Sequence, residues 1–192
     1  MGEIRNGVQR LRDKKVKSKK MKKNELKIVS GGQTGVDRGA LQAAMDLGLE
    51  WGGWAPNGWR AENGTIPPLY RTNMREHASA NYLGRTRRNV VDSHATLIVT
   101  NTYPLSGGTL KTRFFSQEMM RSHFVVSLGE ADAIGKVQRW LGQFFAAEHP
   151  VPFVLNVAGP RESKAGGIQK RTRAFLTDVL QGMMKASRES DG

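Results

Sequence analysis

The sequence predicts an α/β protein with a parallel sheet of about five strands, flanked by helices in a doubly wound arrangement within a single domain. Short apolar, β-rich runs alternate along the chain with segments of helical periodicity, which is the pattern of parallel strands joined by crossover helices. The chain also has 192 residues, 38% of them hydrophobic, which is enough to bury one sizeable core.

The predicted strands are, in chain order, residues 26–30, a weaker candidate at 52–55, and residues 95–100, 124–128 and 153–157. Helices are predicted between them because apolar residues recur three or four positions apart, as in Val36, Ala40 and Ala44 and again over 134–141. Residues 56–82 interrupt this alternation with three prolines and are too long for an ordinary connection. We therefore expect a lid or a binding loop there.

The net charge of +13 is concentrated at the N-terminus. Residues 1–25 hold ten Lys or Arg residues against three acidic ones, a net charge of +7, whereas the other 167 residues carry +6. A lysine-rich block with few large apolar residues cannot bury enough surface to offset its ordering entropy. We expect a basic, disordered or loosely helical tail at 1–25, a ligand-binding domain at 26–185 and a frayed C-terminus at 186–192. The tail is either a solubilising extension or a segment attracted to RNA or anionic surfaces.

Composition excludes several classes of protein. The chain has no cysteine, which rules out disulfides, thiolate-bound zinc, iron–sulfur clusters and a cysteine nucleophile. No apolar run approaches the roughly 18–20 residues of a membrane-spanning helix, and the N-terminus lacks the apolar segment of a secretory signal. The four histidines have no histidine partner three or four positions away, so a helical metal site is not expected. We expect a cytoplasmic protein with no membrane partner and no bound metal ion.

The most distinctive stretch is KIVSGGQTGVDRGALQAA, at residues 27–44. It places a glycine-rich turn between a predicted strand and a predicted helix, at the carboxyl edge of the sheet where doubly wound folds bind ligands. Gly31, Gly32 and Gly35 allow positive φ and close approach of a ligand, and the N–H groups of the first helical turn favour an anion. The spacing matches neither G-x-G-x-x-G nor G-x-x-x-x-G-K-[ST], so the turn is either an anion site or a tight connection.

Two more predicted strands lead into glycine-bearing turns. NTYPLSGGTLKT follows one strand at 101–112, and NVAGPRESKAGG ends another at 156–167. Turns that follow parallel strands meet at one edge of the sheet, so the three turns predict a single crevice. Arg38 and Arg161 are candidates to bind an oxyanion or phosphate there, the alternative for each being a surface ion pair.

Five stretches, SGGQTGVDRGAL, GGWAPNGWRAENGTIP, RTRRNVVDSHATLIVT, SGGT and LNVAGPRESKAGGI, carry a resemblance to a known family. Together they resemble the molybdenum carrier family, a branch of the Rossmann-like SLOG superfamily. The resemblance covers residues 27–180 and leaves the basic tail outside. It implies a flavodoxin-like parallel sheet, a nucleotide or pterin-type ligand at the glycine turns, and a role in binding molybdenum cofactor.

Carried over by position, the resemblance implies a ligand-binding set from all three turns and the segments between them. The set is Gly31, Gly32, Gln33, Thr34, Gly35, Asp37, Arg60, Asn89, Gly107, Gly108, Thr109, Gly159, Pro160 and Arg161. Arg87 and Arg88 depart from the family pattern and are expected to make the rim of the crevice more basic. The ligand would be molybdenum cofactor or a phosphorylated nucleotide, whose phosphate suits backbone N–H groups and arginine.

Two other functions stay open. SLOG relatives include nucleoside-monophosphate phosphoribohydrolases with a P-G-G-x-G-T-x-x-E element, and this chain has Thr112 where the glutamate would fall. Glu62, Asp92 and Asp37 remain as substitutes, and we expect Glu62 or Asp92 to supply the acid–base group of any catalysis. The basic tail makes nucleic-acid association a further alternative, and the sequence also leaves a homo-oligomer open.

Overall fold

The computed structural model describes residues 21–101, 103–146 and 148–185. This part of the chain contains eight β-strands and six α-helices. The strands are β1 (Leu26–Val29), β2 (Glu50–Ala55), β3 (Arg60–Ala61), β4 (Gly64–Thr65), β5 (Met74–Glu76), β6 (Ala95–Thr100), β7 (Ser122–Ser127) and β8 (Phe153–Ala158). The helices are α1 (Val36–Leu47), α2 (Pro68–Arg71), α3 (Tyr82–Val91), α4 (Gly107–Glu118), α5 (Ala133–Phe145) and α6 (Ile168–Lys185).

Six of the strands form one parallel sheet in the order β5-β2-β1-β8-β6-β7. The predicted fold class is therefore confirmed. The sheet has one strand more than the five candidates from the sequence, because β5 lies inside the segment expected to be a lid. Strands β3 and β4 form a separate antiparallel pair.

Strand β8 lies at the centre of the sheet, although it is the most C-terminal of the described strands. It pairs with β1 on one side, with Ile28 opposite Leu155, and with β6 on the other, with Leu97 opposite Val157. The Ser30 hydroxyl donates a 2.6 Å hydrogen bond to the Val157 carbonyl and fixes the ends of β1 and β8 to each other. The turns after β1, β6 and β8 lie at the same edge of the sheet, as predicted.

The main hydrophobic core lies between one face of the sheet and helices α1, α5 and α6. Alternate residues of the central strands point into it, including Leu97 and Val99 of β6 and Leu155 of β8. Helices α3 and α4 pack on each other and against β2, β6 and β7. This placement on the opposite face follows from right-handed crossovers, since the connections through α3 and α4 cross the sheet in one direction and those through α1 and α5 cross it in the other.

Residues 56–82 form a small folded unit that packs on α1. Ala61, Ile66, Tyr70 and Met74 pack with Leu41 of α1 in a second hydrophobic cluster. The segment expected to be a lid or a binding loop thus contains a hairpin, a helical turn and the edge strand β5, and it is anchored by buried apolar side chains.

The described chain begins with Met21, which is buried in the main core at 1% exposure. The chain therefore joins the folded body a few residues before the predicted tail boundary at residue 25. Most of the predicted tail, residues 1–20, and the predicted frayed C-terminus at 186–192 lie outside the described residues. None of the described helices is long and apolar enough to cross a membrane.

Candidate functional site

A cleft of about 310 Å³ opens at the carboxyl edge of the sheet. Its walls come from the turns after β1, β6 and β8 and from one face of α3. Ten residues of the predicted ligand-binding set line it: Gly31, Gln33, Asp37, Asn89, Gly107, Gly108, Thr109, Gly159, Pro160 and Arg161. The three turns therefore share one cleft.

The turn after β1 is filled by the protein's own ion pair. The Asp37 carboxylate, 5% exposed, accepts hydrogen bonds at Oδ2 from the Gln33 backbone N–H, at 3.2 Å, and from Arg85 Nη1, at 3.1 Å. A Cβ added to Gly31 would lie 1.2 Å from Arg85 Nη1, so the guanidinium occupies the space that a side chain would take. The glycine at this position makes room for Arg85.

Most other polar groups of this turn are also satisfied internally. The Gln33 side-chain oxygen accepts from the backbone N–H groups of Thr34 and Glu62, both at 3.0 Å. The Val36 N–H donates to the Pro160 carbonyl at 3.2 Å. The N-terminus of α1 is thereby engaged with the protein itself, and fewer of its N–H groups are left for an external anion.

Four other residues of the predicted set lie outside the lining of the cleft. Gly32, at φ +70°, faces Ile66 and Met74 of the second hydrophobic cluster. Thr34 is buried, and its hydroxyl donates to Glu62. Gly35 and Arg60 are the other two. An added Cβ at Gly35 would meet the Pro160 carbonyl oxygen at 2.4 Å, and Arg60 is exposed at the start of β3.

The turn after β6 is open, in contrast to the turn after β1. Ser106 precedes α4 without capping it through its side chain, and the first turn of the helix contains no acidic residue. A Cβ added to Gly107 or Gly108 would meet no atom within 4 Å. The positive end of the α4 dipole and its terminal N–H groups therefore face open space in the cleft.

Cationic side chains line the same cleft as this open helix terminus. Arg161 and Lys164 line the cleft from the segment after β8, and Arg85 lines it from α3. The guanidinium carbons of Arg161 and Arg85 lie 4.9 and 6.0 Å from the centre of the Tyr82 ring. At these distances, cation–π attraction restrains both side chains at the wall of the cleft.

Glu62, a predicted catalytic residue, fastens the β3–β4 hairpin to two of the turns. Its carboxylate accepts hydrogen bonds from the hydroxyl groups of Thr34 and Ser163 and, at 3.2 Å, from the Ser163 N–H. Burial raises the pKa of the Glu62 carboxyl, but the hydrogen bonds from Ser163 and Thr34 outweigh burial and hold the pKa below its usual value. Glu62 does not line the cleft.

Asp92, the other predicted catalytic residue, also lies outside the lining of the cleft. Its Oδ2 accepts from the Trp54 indole N–H, at 2.8 Å, and pairs with Arg88 Nε, at 2.9 Å. It contributes instead to a smaller depression of about 180 Å³. The described residues contain no group of three or more His, Cys, Asp or Glu side chains that could hold a metal ion.

Three arginines considered from the sequence lie outside the lining of the cleft. Arg38 is buried and donates to the Gly32 carbonyl and to Asn63 Oδ1, both at 3.2 Å, outside the cleft lining. Burial lowers its pKa from the usual value. Arg87 and Arg88 are exposed on α3 and likewise do not line the cleft, and their effect on the charge of its rim stays a prediction.

The sequence reasoning missed Arg85, the arginine of α3 that does enter the cleft. Asn89 lies four residues later, on the same face of the helix, and its side-chain amide makes two hydrogen bonds to the Trp54 backbone of β2. These bonds hold that face of α3 against the sheet. The four-residue spacing from the predicted Asn89 is the signal that could have identified Arg85.

Fold and site define a doubly wound α/β protein with a cleft at the carboxyl edge of its sheet, the edge where such folds bind ligands. A model of the circularly permutated YpsA SLOG family matches residues 28–180. The crystal structure of a "putative molybdenum carrier protein" from Syntrophus aciditrophicus SB matches with a TM-score of 0.72 and 35% identity, covering 83% of this chain and 98% of that one. Curated proteins give no significant match.

The chain therefore belongs to the circularly permutated YpsA SLOG family, and the resemblance predicted from its sequence is confirmed. The strand order agrees with a permuted chain. Counted from β8, the strands follow one another outward through β1 and β2 to β5, and then from β6 to β7.

Replacing Glu62 with Gln should lower the free energy of unfolding by about 1–2 kcal/mol at pH 7, because hydrogen bonds to a charged acceptor are stronger than neutral ones. The pKa of Glu62 is lower in the folded state than in the unfolded state. Its stabilisation is therefore present above the unfolded pKa and is lost as the pH falls through the folded pKa. The difference between wild type and Glu62→Gln in urea unfolding should shrink below about pH 4.

Glu148→Gln is the control for this measurement, because Glu148 is an exposed carboxylate. It should change stability little at either pH. An equal difference between wild type and Glu62→Gln at pH 7 and at pH 3 would contradict a stabilising role for the ionised carboxylate.

Proposed function

We propose that the chain binds a small molecule through its phosphate group, and that this phosphate lies against the N-terminus of α4. The observation that carries the proposal is the open turn at Gly107 and Gly108, in a cleft that Arg161 and Lys164 also line. A helix N-terminus with uncapped N–H groups favours an anion, and flanking cations add to that preference. The ligand is the phosphorylated pterin of molybdenum cofactor or a nucleotide.

The α4 terminus supports phosphate binding better than the turn after β1, to which the sequence also pointed. A phosphate beside α1 would meet the Asp37 carboxylate and would compete with it for Arg85. At α4 no acidic side chain stands in the first helical turn. The phosphate therefore belongs at the β6 side of the cleft, and Asp37 faces another part of the ligand.

The residues of the cleft fit the organic part of molybdenum cofactor. The similar protein from Syntrophus aciditrophicus is named a molybdenum carrier, which points to this ligand. The chain has no cysteine, so no protein thiolate is available to the metal. Gly107, Gly108, Arg161 and Lys164 would hold the phosphate end, and the pterin would bring its own metal ligands.

A hydrolase is the alternative, and the positions of the carboxylates favour binding over hydrolysis. Among the described residues that line the cleft, Asp37 is the one carboxylate, and it is bound to Gln33 and Arg85. Interactions with the phosphate end alone lower the ground state and the transition state alike, so they do not accelerate bond cleavage.

Gly108→Asp should weaken the binding of inorganic phosphate and of adenosine 5′-monophosphate at least tenfold, about 1.4 kcal/mol, because it places a negative charge at the proposed phosphate position. The helix should tolerate the change, since an added Cβ there meets nothing within 4 Å and aspartate suits a first helical turn. Isothermal titration calorimetry measures the affinities.

Gly142→Asp on α5 is the matched control for the charge. Its added Cβ also meets nothing within 4 Å, and Gly142 does not line the cleft. This variant should bind both compounds as wild type does. Equal weakening in the two variants would argue against a phosphate at α4.

Small molecules released by denaturing the purified protein should include a phosphorylated pterin or a nucleotide, identified by mass spectrometry. A pterin accompanied by molybdenum in elemental analysis supports the carrier function. A nucleotide without molybdenum supports a nucleotide-binding protein. If protein purified without phosphate buffers releases neither compound, that result would count against the proposal.

Wild type should release no adenine from adenosine 5′-monophosphate over hours, because a bound phosphate ester meets only one carboxylate in the cleft. Chromatographic detection of free adenine is the measurement. Fast release that is lost in Asp37→Asn would identify a phosphoribohydrolase acting through the cleft. Fast release that is lost in Glu62→Gln or Asp92→Asn would restore the catalytic role predicted from the sequence.

A further inference from the structure

We propose that Asp37 determines the specificity of the cleft by accepting a hydrogen bond from a hydroxyl or N–H group on the uncharged part of a phosphate ester. The proposal rests on the proposed function, which places the phosphate at α4. It adds the chemistry of the ligand's other end. The observation behind it is a buried carboxylate in the cleft that uses only one of its two oxygens.

Asp37 Oδ2 is fully engaged, whereas Oδ1 is not. Oδ2 accepts from the Gln33 N–H at 3.2 Å and from Arg85 Nη1 at 3.1 Å. Oδ1 has no hydrogen-bond partner within the described ranges, although Asp37 is only 5% exposed and lines the cleft. Oδ1 is not sealed from solvent, so water can donate to it in the free protein, and a donor on the ligand would take the place of that water.

The two neighbours of Oδ2 also fix the orientation of the carboxylate. The Arg85 side chain is 12% exposed and packs directly against Gly31, where an added Cβ would overlap it. The Gln33 N–H belongs to the backbone of a turn whose side chain is itself held by Thr34 and Glu62. Rotation of the carboxylate would break both bonds to Oδ2, so Oδ1 is a preorganised acceptor.

The chemistry of Oδ1 limits which part of a ligand can bond to it. A carboxylate oxygen only accepts hydrogen bonds, so an anionic oxygen of the ligand cannot bond to it, whereas the N-terminus of α4, with no acidic residue in its first turn, attracts an anion. A ligand that satisfies both ends has a phosphate and, some distance from it, an uncharged donor. Sugar hydroxyls and ring N–H groups are the two sources of such a donor in phosphate esters.

Replacing Asp37 with Asn should reverse the hydrogen-bonding polarity at this end of the cleft and keep the hydrogen bonds from Gln33 and Arg85. Both groups that contact Oδ2 are donors, so the amide oxygen should take the place of Oδ2. The amide NH₂ then takes the place of Oδ1. The cleft exchanges an acceptor for a donor and loses one negative charge.

Calorimetric titration of wild type and Asp37→Asn with four probes tests the proposal. The probes are inorganic phosphate, ribose 5-phosphate, adenosine 5′-monophosphate and 2′,3′-dideoxyadenosine 5′-monophosphate. Wild type should bind at least one ester tenfold or more tightly than phosphate. Asp37→Asn should reduce that preference to less than threefold while binding phosphate as tightly as wild type or more tightly.

The probe set also separates the two sources of the donor. A preference for ribose 5-phosphate over phosphate assigns a sugar hydroxyl to Asp37. A preference shared by the dideoxy nucleotide but absent from ribose 5-phosphate assigns the ring. Asp178→Asn, which removes an exposed carboxylate on α6, is the control for net charge and should keep the preference of wild type.

Two results would overturn the proposed role of Asp37 and leave the proposed function standing. One is an ester preference that survives in Asp37→Asn, and the other is equal weakening of all four probes by that substitution. Wild type that binds none of the probes would overturn the proposed function as well. If Asp37→Asn does not fold, as judged by circular dichroism, the double variant Asp37→Ala/Arg85→Met removes both charges of the buried pair together and should lose the same preference.

Discussion

The cleft and the core of this protein both depend on β8, which hydrogen-bonds to β1 on one side and to β6 on the other. Without it, the sheet would consist of two separate parts, β5-β2-β1 and β6-β7. Its insertion also brings the segment after β8 between the turns that follow β1 and β6. Arg161 and Lys164 thus line the same cleft as α3 and α4 because of one strand position.

Two glycine-rich turns at this edge of the sheet have different tasks. The turn after β1 is filled by Asp37 and Arg85, so Gly31 in this turn allows the close packing of the protein's own charged groups. The turn at Gly107 and Gly108 is open and exposes the N-terminus of α4. The cleft therefore combines a carboxylate already neutralised by a guanidinium with an uncompensated helix terminus. Its polarity is asymmetric from one wall to the other.

The strands and their common edge could be predicted because buried parallel strands are apolar runs that appear directly in the sequence. Strand β5 could not, since Met74–Glu76 is three residues long, includes two charged residues and lies at the edge of the sheet. The three turns could be predicted from their glycines. The side chains that fill the turn after β1 could not be predicted, because the contact between Arg85 and Asp37 joins residues 48 positions apart.

The placement of Glu62 shows a second limit of sequence reasoning. A carboxylate with an arginine and a glycine nearby in the sequence is typical of a catalytic site. The sequence does not reveal where the oxygens of that carboxylate point. In the structure those oxygens accept from Thr34 and Ser163, so Glu62 joins the β3–β4 hairpin to two turns. These partners lie on distant segments of the chain, so the sequence could not reveal this structural role of Glu62.

The central position of β8 also has a consequence for how the chain is made. Translation proceeds from the N-terminus, so β1 and β6 leave the ribosome well before residues 153–158. Until β8 arrives, the edges of both strands present unpaired N–H and C=O groups to any other strand nearby. Nascent chains on neighbouring ribosomes are therefore exposed to mispairing during this interval, and chaperone capture is most useful to the protein in that window.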